Sequence, residues 1–344
     1  MRPTIKDIAK KAGVSHTTVS RALNGDPSIS TGTCERVCEL AEEMGYLGSA
    51  AARGLRTNRS KVIGVIVSRI DNPYFGEIIQ GIEETLNQTG YSLFIASSHL
   101  ESRVEKNIIK AFARQMVDGV IICASSFCDE NAAILRGFQI PVVALNNECP
   151  EKYVCSVEHD DIKGAQQVTR YLIQLGHRRL AYLGNSLAAR INDERQQGFI
   201  SEINKNGFEN EPHIIFNTKG REIENGEEAM KKLLEVNPLP TAVFCFNDLM
   251  AIGALKTAND HGLKIPEDIS IVGFDNIPYS AYTSPALTTF NQPKYQIGQE
   301  STNLLLESME HFEKGKPNFS DHRRIQGSLL IRQSTGIPYK RIEL

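Results

Sequence analysis

Thr4-Ile5-Lys6-Asp7-Ile8-Ala9-Lys10-Lys11-Ala12-Gly13-Val14-Ser15-His16-Thr17-Thr18-Val19-Ser20-Arg21-Ala22-Leu23-Asn24 holds two helix starts and one helix stop. Thr4 can cap a free amide while Asp7 reaches back toward the cap. Ile5, Ile8, Ala9 and Ala12 follow at i, i+3, i+4 and i+7, one apolar stripe of a short helix. Gly13 stands where a helix end takes a left-handed residue, and Ser15 caps a second helix at once. In that helix Val19, Ala22 and Leu23 share the inward face, and His16, Thr17, Ser20 and Arg21 share the outer one. Val37, Leu40, Ala41 and Met44 predict a third helix from about Thr31 to Met44, stopped by Gly45. Three small helices around one core, with a tight turn between the first two, make a helix-turn-helix. A plain three-helix bundle accounts neither for that turn nor for an outer face of donors and acceptors sized for base edges.

Charge supports the same division. Of the formal net charge of −3, residues 1–60 carry nine Lys or Arg against six Asp or Glu, and the remaining residues carry 29 against 35. A small basic module therefore precedes a larger acidic one, a balance that points weakly to nucleic acid. The 344 residues, 41% hydrophobic and 23% charged, suffice for two or three folding units and exclude a disordered chain. The longest apolar runs, Val62 to Val67 and Val117 to Ala124, fall short of the roughly 18 residues of a membrane span. Met1 to Ala12 has no signal-peptide core, so a cytoplasmic protein with no membrane partner is expected. Seven cysteines without a Cys-x-x-Cys pair fit reduced thiols. Cys34 and Cys38 lack further ligands nearby, so no metal and no cofactor are expected.

Beyond Lys61 continuous apolar strands alternate with amphipathic helices. Strands are predicted at Val62–Val67, Tyr91–Ala96, Gly119–Cys123, Pro141–Leu145, Leu180–Leu183, Ile214–Phe216, Ala242–Phe246 and Ile269–Phe274. Helices are predicted at Tyr74–Asn87, Ile162–Leu175, Glu194–Asn206, Glu222–Val236 and Leu249–His261. Strands buried on both faces and joined by helices form parallel sheets. Some 280 residues exceed one core, which predicts two doubly wound subdomains splitting near Ser156 to Asp161. A ligand in such a fold sits at the carboxyl ends of the strands, in the cleft between the two halves. Asp248 is read as the cap of the helix that follows it.

The residues quoted at the N-terminus, with Gly45-Tyr46 and Ala52-Arg53-Gly54-Leu55, closely resemble the headpiece of the lac repressor/galactose repressor (LacI/GalR) family. Asp71-Asn72-Pro73-Tyr74-Phe75, Gly176-His177-Arg178, Arg195-Gln196-Gln197-Gly198-Phe199 and Gly273-Phe274-Asp275-Asn276 resemble its effector domain, so the likeness spans nearly the whole chain. It implies an all-α helix-turn-helix headpiece (1–47), a hinge helix or linker (48–60) and an α/β periplasmic-binding-protein-like core (61–344). By that resemblance His16 and Thr17 read bases, Arg21 contacts the major groove, and Thr18 and Ser20 make phosphate or mixed contacts. Ala51, Ala52, Leu55 and Arg56 match the hinge that enters the minor groove, with Leu55 as the wedge between base pairs. Ser68, Tyr74, Phe75, Asn146, Arg195, Asn247, Asp275 and Gln292 would line the effector cleft, Arg195 and Asp275 clamping hydroxyls from opposite walls.

Two departures from the family pattern bear on the ligand. Asn146 replaces a frequent Asp, and Arg221 stands where some relatives carry a stacking aromatic. With Arg190 and Arg195 this could make the cleft positive and suit a sugar phosphate or sugar acid, although solvated loop charges explain Arg190 and Arg221 as well. No phosphate loop, His-Glu-x-x-His or Gly-x-Ser-x-Gly is present, so an enzyme is not expected. A free solute-binding protein would need an export signal and has no use for a helix-turn-helix. The expected function is a transcriptional regulator, a repressor binding palindromic operator DNA as a homodimer. A sugar, a sugar phosphate or, less favoured, a purine would control it.

Overall fold

The computed structural model describes residues 3–46, 59–123, 129–146, 154–208, 211–316 and 318–338. The chain separates into two compact units, Met1–Ser60 and Lys61–Leu344. Ala51, Ala52, Leu55 and Arg56 of the expected hinge lie outside the described residues.

The first unit contains α1 (Ile5–Ala12), α2 (His16–Ala22) and α3 (Thr31–Glu43). Its core is Ile8, Ala9, Ala12, Val19, Ala22, Val37 and Ala41, the positions that helical spacing selects. Asp7 accepts from the Thr4 amide at 2.8 Å and from its hydroxyl at 2.7 Å, which holds the Asp7 carboxyl below its ordinary value. Gly13 adopts φ +68°, and Ser15 accepts the Thr18 amide at 3.0 Å. Arg36 of α3 donates to the Ala12 carbonyl, satisfying an otherwise open acceptor at the end of α1.

The second unit begins with β1 (Val62–Val67), α4 (Tyr74–Asn87), β2 (Ser92–Ser97), α5 (Ser102–Arg114), β3 (Gly119–Cys123), α6 (Asp129–Gly137), β4 (Val142–Leu145) and β5 (Val154–His159). The chain then crosses into α7 (Asp161–Gln174), β6 (Leu180–Asn185), α8 (Ala189–Lys205), β7 (Ile214–Thr218), α9 (Glu222–Leu234), β8 (Ala242–Cys245), α10 (Asp248–Asp260), β9 (Ser270–Asp275) and β10 (Thr288–Asn291). It returns through α11 (Lys294–Glu313) and β11 (His322–Ile325), and ends in β12 (Ser328–Leu330). The sheets run β11-β5-β4-β3-β1-β2 and β12-β10-β9-β8-β6-β7. The pairs are parallel except β10 with β12. The central strands of each sheet are buried on both faces, and the edge strands β2, β7, β11 and β12 are partly exposed. Ile63, Val65 and Val67 pack toward α4 and α11, while Ile66, Val120 and Ile122 pack toward Ile109, Phe112 and Leu135 of α5 and α6.

Three crossovers join the subdomains: after His159, after Asn291, and between Ile325 and Ser328. The expected split near Ser156 to Asp161 is the first of them, although β5 occupies much of that stretch. His159 Nδ1 lies 3.1 Å from the Ile325 carbonyl, which ties the first crossover to the third.

α4 and α11 approach through glycines. A Cβ on Gly81 would strike the Tyr295 carbonyl, and one on Gly298 the Ile78 carbonyl. Gly81→Val is expected to force the helices apart at roughly 1–3 kcal/mol, read as a lower midpoint of urea unfolding.

Candidate functional site

The outer face of α2 carries the residues expected to read DNA. His16, Thr17 and Arg21 are exposed, and Ser20 is partly exposed. The nearest anion to Arg21 is Asp26, at 3.9 Å with both side chains open to solvent, a pair too weak to hold the guanidinium. Thr18 differs, because its hydroxyl lies 2.8 Å from that of the Ser15 cap. Part of its hydrogen-bonding capacity is therefore spent inside the protein.

In the second unit a cavity of about 90 Å³ lies between the subdomains at the carboxyl ends of the strands. Ser68, Tyr74, Phe75, Asn146, Arg195, Asn247 and Asp275, seven of the eight expected residues, line it. Asn185 and Glu222 also reach it. Asn185 belongs to the stretch Gly184 to Arg195 that follows a predicted strand and so falls where strand ends place a ligand, whereas Glu222 reads in the sequence only as the start of its helix. Gln292 is buried behind the wall, accepting from the Tyr74 hydroxyl at 3.0 Å and donating to Asp275 Oδ1 at 2.7 Å. Asn146 donates to the Tyr74 hydroxyl at 2.8 Å. One hydrogen-bonded chain thus runs from Asn146 and Tyr74 of the first subdomain through Gln292 to Asp275 of the second.

Arg195 and Asp275 do not face each other from opposite walls. Both belong to the second subdomain, Arg195 on α8 and Asp275 at the end of β9, with 3.6 Å between guanidinium and carboxylate. The helix predicted at Glu194–Asn206 begins earlier, at Ala189, and like β9 it belongs to the second subdomain, so Arg195 and Asp275 share one wall. Arg195 also donates to Asp161 at 2.7 Å and to the Phe246 carbonyl at 2.5 Å, and its guanidinium lies 3.9 Å from the Phe274 ring centroid. Burial pushes the Asp275 carboxyl up to about 6, with Arg195 and then Lys294 opposing the rise.

Asp248 is likewise not the helix cap. Asn247 caps α10 by accepting the Met250 amide at 2.9 Å. Asp248 is fully buried, accepting from the Thr289 hydroxyl at 2.5 Å and the Ile277 amide at 2.8 Å. Burial and then Asp275 push its carboxyl up to about 8.

The cations proposed for an anionic ligand are matched by protein groups. Arg190 donates to Glu194 and to the Asn146 carbonyl. Arg221 lines a separate outer cavity and lies 3.4 Å from Asp71. The cleft cavity itself presents Arg195 beside Asp275 and Glu222. Among the described residues no cluster of His, Cys, Asp or Glu could hold a metal ion.

Residues 60–329 match the family described as periplasmic binding proteins and sugar binding domain of LacI family, and residues 4–49 match bacterial regulatory proteins, lacI family. The chain belongs to the LacI family. Over 332 residues it is 35% identical to the HTH-type transcriptional repressor PurR of Pasteurella multocida, covering 96% of this chain and 98% of that one. Over 334 residues it is 37% identical to the repressor CytR of Escherichia coli, covering 96% of both. The lac repressor dimer bound to operator superposes with a TM-score of 0.82 at 26% identity, over 98% of this chain and 100% of that one. A LacI family regulator from Enterococcus faecium with bound ribose gives 0.72 at 28% identity, over 81% and 100%. This LacI family member is thus a DNA-binding transcriptional regulator controlled by a small molecule, and not an enzyme. No described helix is long and apolar enough to cross a membrane.

Proposed function

We propose that the protein acts in the cytoplasm as a homodimeric repressor of a palindromic operator, and that a neutral, hydroxyl-rich sugar or sugar derivative in the cleft is its effector. The carrying observation is the Arg195–Asp275 pair within a cavity lined by the amides Asn146, Asn185 and Asn247. A charged donor beside a charged acceptor, with neutral amides around them, matches adjacent hydroxyls better than a phosphate, since Asp275 and Glu222 would repel an anion. At about 90 Å³ the cavity is below the roughly 300–1,000 Å³ of ordinary ligand pockets. A sugar therefore enters as the subdomains part about the three crossovers, a movement that distinguishes bound from free states.

Dimerisation would use the apolar groups left open on the second unit. Ile70, Tyr279 and Tyr282 are 67%, 58% and 87% exposed, and both tyrosines border the outer cavity with Leu249 and Ile252. Two protomers place two headpieces on two half-sites, which one recognition helix of seven residues cannot do alone. Leu55 would wedge into the minor groove. Leu55→Ala is expected to weaken operator binding at least tenfold more than binding to unrelated duplex, in gel shifts at fixed salt.

The testing experiment is a gel shift on DNA from around the protein's own gene, with ribose, ribose 5-phosphate and hypoxanthine as probes. Release by ribose alone is the expected result, and release by ribose 5-phosphate alone would overturn the neutral-effector reading. Asp275→Ala should stay on the DNA at probe concentrations that free the wild type. Lowering the pH through about 6 protonates the Asp275 acceptor, so the probe concentration needed for release should rise from pH 7 to pH 5.

A further inference from the structure

Lys294 opens α11 at the second crossover and is fully buried. A cation in the first turn of a helix faces the positive end of its dipole, and burying an ammonium is strongly unfavourable unless its donors are met. Methionine or leucine would fill the space without either penalty. Here Nζ donates to the main-chain carbonyls of Asp275 at 2.6 Å, Asn276 at 3.0 Å and Gln292 at 3.5 Å, and lies 3.4 Å from Glu77 Oε1.

Asp275 and Asn276 adopt φ +110° and +52°, a region that residues other than glycine seldom occupy and that surrounding contacts must enforce. Other groups hold their side chains. Gln292 donates to Asp275, while Asn291 and Arg332 bond the Asn276 amide group. The ammonium is the group that gathers both carbonyls. Glu77 lies on α4 of the first subdomain, one turn after Tyr74. The cation therefore joins the turn behind the ligand-facing carboxylate to a helix of the opposite half.

We propose that Lys294 is a positioning residue whose ammonium holds the Asp275–Asn276 turn in its ligand-facing conformation and fastens that turn to α4. Its functional meaning rests on the cleft reading above, but its physical test does not.

Facing Asp275 are Arg195 of α8, Asp161 of α7, Asp248 of α10, Tyr74 of α4 and Lys294 itself. Asp275 already sits above its unfolded value, so it contributes stability that is lost as pH rises through its folded value. Removing the ammonium moves that folded value higher and extends the loss upward. Asp248 is held up by burial and then by Asp275, and Lys294 opposes that rise, so Asp248 is a second buried carboxyl on which the ammonium acts.

The experiment is thermal unfolding of the full chain at pH 5.5 and 7.5. Lys294→Met should lower Tm by roughly 5 °C more at pH 7.5 than at pH 5.5. In an Asp275→Asn background the difference between the two deficits should shrink, the remainder coming from Asp248. A deficit independent of pH, or one whose pH dependence is undiminished by Asp275→Asn, overturns the assignment. Lys294→Gln retains a side-chain donor without the charge and carries the same comparison if the methionine variant does not fold. The losses from Lys294→Met and Glu77→Gln should be less than additive when combined; strict additivity would remove α4 from the arrangement. A wild-type protein indifferent to ribose, ribose 5-phosphate and hypoxanthine would count against the cleft reading while leaving the Lys294–Asp275 coupling measurable.

Discussion

Arg195→Leu is expected to lower the stability of the second unit by roughly 3–5 kcal/mol at pH 7.5. The guanidinium is buried between Asp161 and Asp275, which are themselves buried, and it lies over the rings of Phe246 and Phe274. Leucine would fill part of the volume but leave two carboxylates with their main cation gone and the Phe246 carbonyl without its donor. Most of the loss is then the penalty of uncompensated buried charge rather than the worth of the original contacts. That attribution fixes a pH dependence. Asp275 sits above its unfolded value in the wild type and rises further without Arg195, so protonation relieves the variant, and the deficit shrinks from pH 7.5 to pH 5. Arg195→Lys keeps the charge but cannot bond Asp161 and the Phe246 carbonyl in one plane or stack on Phe274, and should fall between the two. Urea unfolding at the two pH values reads all three. A deficit for Arg195→Leu that is the same at both would mean that packing, not charge, holds the cleft wall.

The elements legible in the sequence are those whose periodicity is carried by apolar residues alone. Val62–Val67 and Tyr74–Asn87 have the bounds that their spacing predicts, and the headpiece core follows its stripe position by position. α11 was not legible because its buried face mixes Leu304, Leu305 and Ile297 with Lys294, Gly298, Ser301, Thr302 and Ser308. Ser301 and Thr302 satisfy their hydroxyls on the carbonyls of Ile297 and Gly298, so they count as core in the structure and as polar in the sequence. α5 was hidden in the same way by Glu105, buried against Asn131. The cleft was legible in part for a related reason. Ends of strands mark where a ligand lies, which placed Ser68, Asn146, Asn247 and Asp275 in the cavity. Strand ends do not reveal every side chain a helix brings in, and Asp161 and Lys294, which arrive on helices, went unread. Asp275 and Asp71 lie far in sequence from Arg195 and Arg221, so those pairings emerge only from the folded chain, whereas Glu194, the partner of Arg190, is its helical neighbour four residues on.

His16→Ala, Thr17→Ala and Arg21→Ala are each expected to weaken operator binding about 10–100-fold, the loss of one good base contact. The three side chains reach solvent from one face of α2, and the exposed ion pair of Arg21 with Asp26 at 3.9 Å is too weak to hold the guanidinium. What separates reading from anchoring is the comparison with unrelated duplex. A base-reading side chain discriminates, so its removal reduces specific binding and leaves nonspecific binding nearly as it was. A phosphate anchor carries no sequence information, so its removal weakens both and makes the salt dependence shallower by about one charge. Arg21 can do either, since its planar fork fits guanine and phosphate alike. Thr18→Val supplies the contrast, because its hydroxyl meets the Ser15 cap. Its loss should appear first as a lower unfolding temperature of the headpiece, with operator affinity reduced in proportion. Fluorescence anisotropy at two salt concentrations, on DNA from the protein's own gene and on a scrambled duplex, separates these outcomes. Equal losses on both duplexes for His16→Ala and Thr17→Ala would remove the outer face of α2 from sequence recognition and leave specificity to other parts of the chain.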